Sequence, residues 1–174
     1  FISGTYTATF NGTSAQSIGG TTPTTFHSLT VTNSPATLTL ASNTTINGLL
    51  TVSASANFNL SSFDLTIAGT NSPTLTGILN TGTSTVFYNS GSSVAIAAAN
   101  YYNLNLSWGA RTNAGIIGIA NVLTTGSVTT LGGTVTFNGT VNQSIPALTY
   151  TNLQTAIGGI KTLAGNTTVS ALLT

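Results

Sequence analysis

The chain has 174 residues, and charged residues make up 2% of it, against about 25% in an ordinary soluble domain. Arg111, Lys161 and Asp64 are the whole charged set, and cysteine and methionine are absent. Thr (37), Ser (19) and Asn (18) supply 74 positions instead, so the surface must be hydroxyl and amide, which excludes acid–base pairs, thiolate sites and basic nucleic-acid faces.

Taken in chain order, the apolar residues recur with period two, the mark of half-buried strands. Tyr6, Ala8 and Phe10 open the series, followed by Leu29 and Val31, then Leu38 and Leu40. Leu50, Val52, Ala54, Ala56, Phe58 and Leu60 alternate with Thr, Ser and Asn, a half-buried strand pattern over eleven residues that is long for one strand, with Phe58 and Leu60 expected inward and Asn57 and Asn59 outward. After Ser61-Ser62 the phase flips to Phe63, Leu65 and Ile67, as at a corner. Only Val94–Asn100 is predicted to coil briefly, because strong helix formers other than Ala and Leu are nearly absent. Tyr102, Leu104, Leu106 and Trp108, then Val135 and Phe137, return to strand periodicity. Asn11-Gly12, Gly19-Gly20, Asn47-Gly48, Ser90-Gly91, Gly132-Gly133, Asn138-Gly139 and Gly158-Gly159 punctuate the runs with turn chemistry.

Whole phrases recur, which period two alone does not require. Phe10-Asn11-Gly12-Thr13-Ser14-Ala15-Gln16-Ser17-Ile18 returns as Phe137-Asn138-Gly139-Thr140-Val141-Asn142-Gln143-Ser144-Ile145, identical at seven of nine positions, with a degenerate middle copy from Tyr88 to Ile96. Downstream, an aromatic precedes a leucine by three residues at Phe26 and Leu29, Tyr101 and Leu104, and Tyr150 and Leu153. The twelve residues from Leu40 to Thr51 return from Leu163 to Thr174, with eight identities. The copies begin near 4, 82 and 131, and the reading is one array over 1–174 in which Phe10, Tyr88 and Phe137 take equivalent positions, as do Ile18, Ile96 and Ile145.

Two all-β folds accept this pattern. A parallel β-solenoid stacks coils about 4.8 Å apart, so that like residues align in columns where identical charges would repel and Asn, Thr and Ser would bond. An antiparallel β-sandwich subunit with strand exchange also gives short alternating strands. Repetition of phrases favours the solenoid.

The phrase from Phe137 through Gln143, Ile145, Tyr150 and Leu153, continuing as Lys161-Thr162-Leu163-Ala164-Gly165-Asn166-Thr167-Thr168-Val169, resembles the β-strand repeat of very large secreted bacterial surface proteins and adhesin-like filaments. It covers most of the chain. The resemblance implies a parallel β-helix, an extracellular or cell-surface location and a structural role, and it transfers no catalytic residue. The chain is therefore expected to be a segment or subunit of a longer fibre, joined end to end by strand pairing into a homopolymer or a longer chain, with an adhesin-type module for polysaccharide or ice as the alternative.

Candidate chemistry is sparse. His27, Asp64 and a serine make no recognisable triad, one His and one Asp make no metal site, and the expectation is no enzyme, no cofactor and no metal. Trp108 is weighed as a sugar platform against a core or edge residue. Asn11, Asn43, Asn59, Asn105, Asn138, Asn142 and Asn166 head glycosylation sequons, and about six are expected from composition alone, so glycans enter as compartment-dependent partners. The threonines at 5, 7 and 9, at 81, 83 and 85, and at 134 and 136 raise a flat hydroxyl array. Nucleic acid is disfavoured, and no apolar run is long enough to predict a spanning helix.

Overall fold

The computed structural model describes residues 4–108, 110–156 and 158–174. Among them are nineteen strands and no helix. Every strand pairing is parallel. The strands wind as a β-solenoid of about eight turns, and the antiparallel sandwich is not supported.

Each early coil has three short strands: β1 (Thr7–Phe10), β2 (Gln16–Ile18) and β3 (Thr24–Phe26), then β4 (Ser28–Val31), β5 (Thr37–Leu40) and β6 (Thr44–Ile46). The next two coils repeat the plan with β7 (Leu50–Val52), β8 (Asn57–Asn59) and β9 (Leu65–Ile67), and with β10 (Thr74–Leu75), β11 (Ile78–Asn80) and β12 (Thr85–Tyr88). Three ladders result, β1-β4-β7-β10, β2-β5-β8-β11 and β3-β6-β9-β12.

Alternation becomes columns. Phe26, Ile46, Ile67, Tyr88 and Leu106 stack in register along one ladder, and Leu38, Phe58 and Leu79 along another. Phe58 and Leu60 are fully buried while Asn57 and Asn59 are half-buried on the outer side, as the alternation predicts. Each such large side chain contributes about 1.5–3 kcal/mol by leaving water. The run over Leu50–Leu60, long for one strand, is two strands. Ser55 takes a left-handed backbone (φ 66°), which turns a corner and leaves Ala54 outside. Ser61 (φ 57°) makes the corner read from the phase flip after Leu60.

Most later strands run through their corners, β16 and β18 alone staying three residues long: β13 (Asn100–Leu106), β14 (Ile116–Thr124), β15 (Thr130–Phe137), β16 (Gln143–Ile145), β17 (Thr149–Thr155), β18 (Lys161–Leu163) and β19 (Thr168–Leu173). An aromatic and a leucine three apart cannot both face inward on a period-two strand. The extra residue is absorbed by irregularities between Tyr101 and Asn103 and between Tyr150 and Asn152, and by His27 between β3 and β4. Val94–Asn100 does not coil: Ile96 makes a parallel bridge to Asn113, and Asn100 begins β13.

Coil length varies by a residue or two along each ladder and drops most between β12 and β13. Asp64 and Thr85, on adjacent rungs, are separated by 21 in sequence, whereas Thr85 and Asn103, also on adjacent rungs, are separated by 18. At this step only β12 pairs on both edges, with β9 and β13, while β10 and β11 end their ladders. A seam thus crosses two faces of the solenoid between the fourth and fifth coils.

Candidate functional site

The repeated phrase is a corner motif and not a rung of one stack. Phe10 stands in register with Val31 and Val52, Tyr88 with Ile67 and Leu106, and Phe137 with Ile119 and Tyr101. The three aromatics therefore occupy different columns, a correction to the expectation of equivalence. Locally they agree: each ends a strand, and the isoleucine eight residues on is buried.

The corners agree in their hydrogen bonds too. Gly12 N–H donates to Gln16 Oε1 at 3.0 Å, and Gly139 N–H to Gln143 Oε1 at 2.9 Å. The carbonyls that turn inward at each corner take a donor from the following coil. Asn33 Nδ2 donates to Gly12 O at 3.3 Å, Arg111 Nη2 to Ser90 O at 3.1 Å and Lys161 Nζ to Gly139 O at 2.8 Å, with separations of 21, 21 and 22 residues.

In the middle copy Val94 replaces the glutamine, and Arg111 fills the corner. It is 1% exposed and donates to the carbonyls of Ser92, Val94, Tyr88 and Ser90 at 3.1–3.4 Å, leaving Nε unpartnered. Burial holds the guanidinium below its ordinary pKa, an effect the neighbouring Tyr88 opposes. Beside it, Ala97 N–H donates to Tyr88 Oη at 3.0 Å and Tyr101 Oη donates to Ala97 O at 2.8 Å. That leaves Tyr88 Oη as the donor in its 3.1 Å contact with Tyr101 Oη. Burial raises both phenol pKa values. Lys161 also donates to Val141 O and Gly158 O. Both cations of the chain thus serve main-chain carbonyls, and neither presents a basic face.

The triad candidates are not assembled. His27 is a half-buried corner residue between β3 and β4. Asp64 lies two rungs away before β9, where its Oδ1 accepts from Thr85 N–H at 2.9 Å and ties successive coils together. No group of three or more His, Asp or Glu side chains that would hold a metal occurs among the described residues. Trp108 is 57% exposed just beyond β13. Of the sequons, Asn11, Asn43, Asn142 and Asn166 are exposed, Asn59, Asn105 and Asn138 are half-buried, and Asn138 spends its Nδ2 on Asn100. The threonines at 81, 83 and 85 form no flat array, because Thr81 is buried and bonds Asn100 O. A regular hydroxyl column exists elsewhere: Thr9, Thr30, Thr51 and Thr74 stand in register on four successive coils.

Two concavities stand out. One, about 450 Å3, is the mouth of the first coil, walled by Ala8, Phe10, Ile18, Thr24 and Phe26. The other, about 350 Å3, lies at the seam, where Asn57, Ile78, Asn80 and Thr81 face Asn100 and Tyr102. Neither was anticipated from sequence. The corner donors had a legible signal, since Asn33, Arg111 and Lys161 follow Phe10, Tyr88 and Phe137 at nearly equal spacing.

Comparison with protein-family models, curated proteins and solved structures gave no significant match.

Proposed function

We propose that the chain is a non-enzymatic structural element, a length of β-solenoid shaft in an extracellular or cell-surface filament, and that it joins further coils end to end by parallel strand pairing. The observation that carries this reading is the uniform parallel stacking, in which successive coils are joined through backbone and amide groups. Leu163, Leu172 and Leu173 are exposed on β18 and β19, and the apolar mouth at Phe10, Ile18 and Phe26 lies at the other end of the stack. Open strand edges with apolar flanks are templates for another strand. A stack of this kind is one that a coil of like geometry on a second copy can extend. The engagement of Arg111 and Lys161 inside the corners supports a joint without ionic contacts, and the resemblance of the repeat phrase to surface-filament proteins supports the location.

Electron microscopy of the purified chain against concentration, beside the double variant Leu172→Lys/Leu173→Lys, tests the reading. The expected result is uniform filaments of single-solenoid width that the charged edge abolishes. Dispersed particles at every concentration overturn it.

A second reading, an adhesin-type module for ice, has one observation in its favour, the Thr9, Thr30, Thr51 and Thr74 column. Thermal hysteresis abolished by Thr30→Lys/Thr51→Lys is its expected signature, and growth of ice unaffected by the native chain refutes it.

A further inference from the structure

We infer that the seam cleft is a binding site for a short stretch of neutral saccharide. The cleft exists because the coils shorten there, from a rung-to-rung separation of 21 between Asp64 and Thr85 to one of 18 between Thr85 and Asn103. That change leaves β11 without a partner on its outer edge. On the flat faces, each rung's backbone donors and acceptors are spent on its ladder neighbours. At the seam they are spent only in part: Thr81 Oγ1 donates to Asn100 O at 2.9 Å and accepts from Tyr102 N–H at 3.2 Å, and no ladder joins β11 to β13.

The lining selects the ligand class. None of Asp64, Arg111 and Lys161 contributes to it, so an ionic ligand has no counter-charge. Asn57 forms part of the wall; its Oδ1 is closed off from solvent without a partner, so the amide nitrogen is the polar group it offers a ligand. Asn80 and Asn100 add their amide nitrogens, since Asn80 Oδ1 already accepts from Gly82 N–H and Asn100 Oδ1 from Asn138 Nδ2. Ile78, in register with Asn57 on the outer side, is 62% exposed, and Tyr102 supplies a half-buried aromatic ring. A wall of amide donors beside apolar and aromatic surface matches a pyranose, which carries a rim of hydroxyls around a C–H face. The volume lies at the small end of ligand pockets, which suits a short segment of a glycan. The inference adds a ligand to the structural reading and does not depend on filament formation.

The test is titration of the isotope-labelled chain with cellohexaose, maltohexaose and chitohexaose, followed by NMR at neutral pH. The expected result is saturable shifts at Asn57, Ile78, Asn80 and Tyr102 with at least one of these probes. Ile78→Lys, at an exposed position, is expected to weaken that binding tenfold or more without lowering the unfolding midpoint. Asn57→Thr, which copies the Thr37 that precedes it in the column, is expected to weaken it about tenfold, the scale of one lost hydrogen bond. Thr51→Lys, on another face, should leave it unchanged. Shifts that do not saturate, binding indifferent to Ile78→Lys, or tighter binding of anionic polygalacturonate each overturns the proposal, and failure here leaves filament assembly as a separate result.

Discussion

Asn138 Nδ2 donates to Asn100 Oδ1 at 3.0 Å across two coils, and the space between them is open because residue 118 is glycine. Gly118 is in register with both Asn100 and Thr136, and a Cβ there would stand 2.0 Å from Asn100 Oδ1 and 2.6 Å from Asn138 Nδ2. Amide ladders of this kind do on the outside of the solenoid what ion pairs do on ordinary surfaces. Asn121 to Asn103 at 2.8 Å and Thr136 to Gln154 at 3.0 Å are further rungs.

Gly118→Ala is therefore expected to destabilise the chain by about 1–3 kcal/mol, because the added methyl displaces an amide pair that is then left without its partner. Denaturant unfolding should show the lowered midpoint. Asn138→Ala should cost less, about 1 kcal/mol, since Asn100 stays near solvent.

Arg111 is the largest fully buried side chain, and four carbonyls depend on it. Arg111→Met fills similar volume yet orphans those acceptors, and a loss of about 3–5 kcal/mol is expected. Lys161→Met, at a half-buried corner, should lose about 1–2 kcal/mol. Equal midpoints for the native chain and Arg111→Met would show that the carbonyls find other donors.

Alkali supplies a pH signature. Burial raises the pKa of Tyr88, Tyr101 and Tyr150 above the ordinary value of 10.0. Each group thus contributes stability that is fully present below the unfolded-state pKa and is lost as pH rises toward the folded-state value. The unfolding midpoint should hold level from pH 7 to about 9.5 and fall above about 10. Tyr101→Phe, which removes one phenol, should make that fall shallower.

The seam divides the chain mechanically. Only the ladder through β9, β12 and β13 crosses it, so hydrogen exchange at β10, β11 and residues 91–99 should outpace that at β4–β9 by tenfold or more. Uniform protection along the whole solenoid would mean that side-chain bonds such as Thr81 to Asn100 replace the missing ladder.

Much of this was legible in the residues. Alternation placed Phe58 inward and Asn57 outward, and stacking of like residues follows from a parallel array. The run from Leu50 read as long for one strand, but its corner was hidden because a serine in the left-handed region can turn the chain without glycine, and Ser55 does so inside an unbroken apolar pattern. The phrase copies misled differently: they mark corners, whose local bonds repeat, while the columns are set by coil length. Arg111 reads in sequence as one of three scattered charges, and its role emerges only when residues of the preceding coil, from Tyr88 to Val94, are brought beside it. The seam cleft was hidden for the same reason, since it arises from a change of register between coils and from no local motif.

Fibre diffraction from concentrated, aligned protein bears most directly on the claim that these coils continue from one molecule to the next. The expected pattern is a meridional reflection at about 4.8 Å, the coil spacing, sharpened by coherence over many molecules and unchanged from low to molar salt. Leu172→Lys/Leu173→Lys should abolish it while the circular dichroism of the fold persists. Isotropic scattering from single particles about eight coils tall, or order that dissolves as salt is raised, would contradict end-to-end strand pairing.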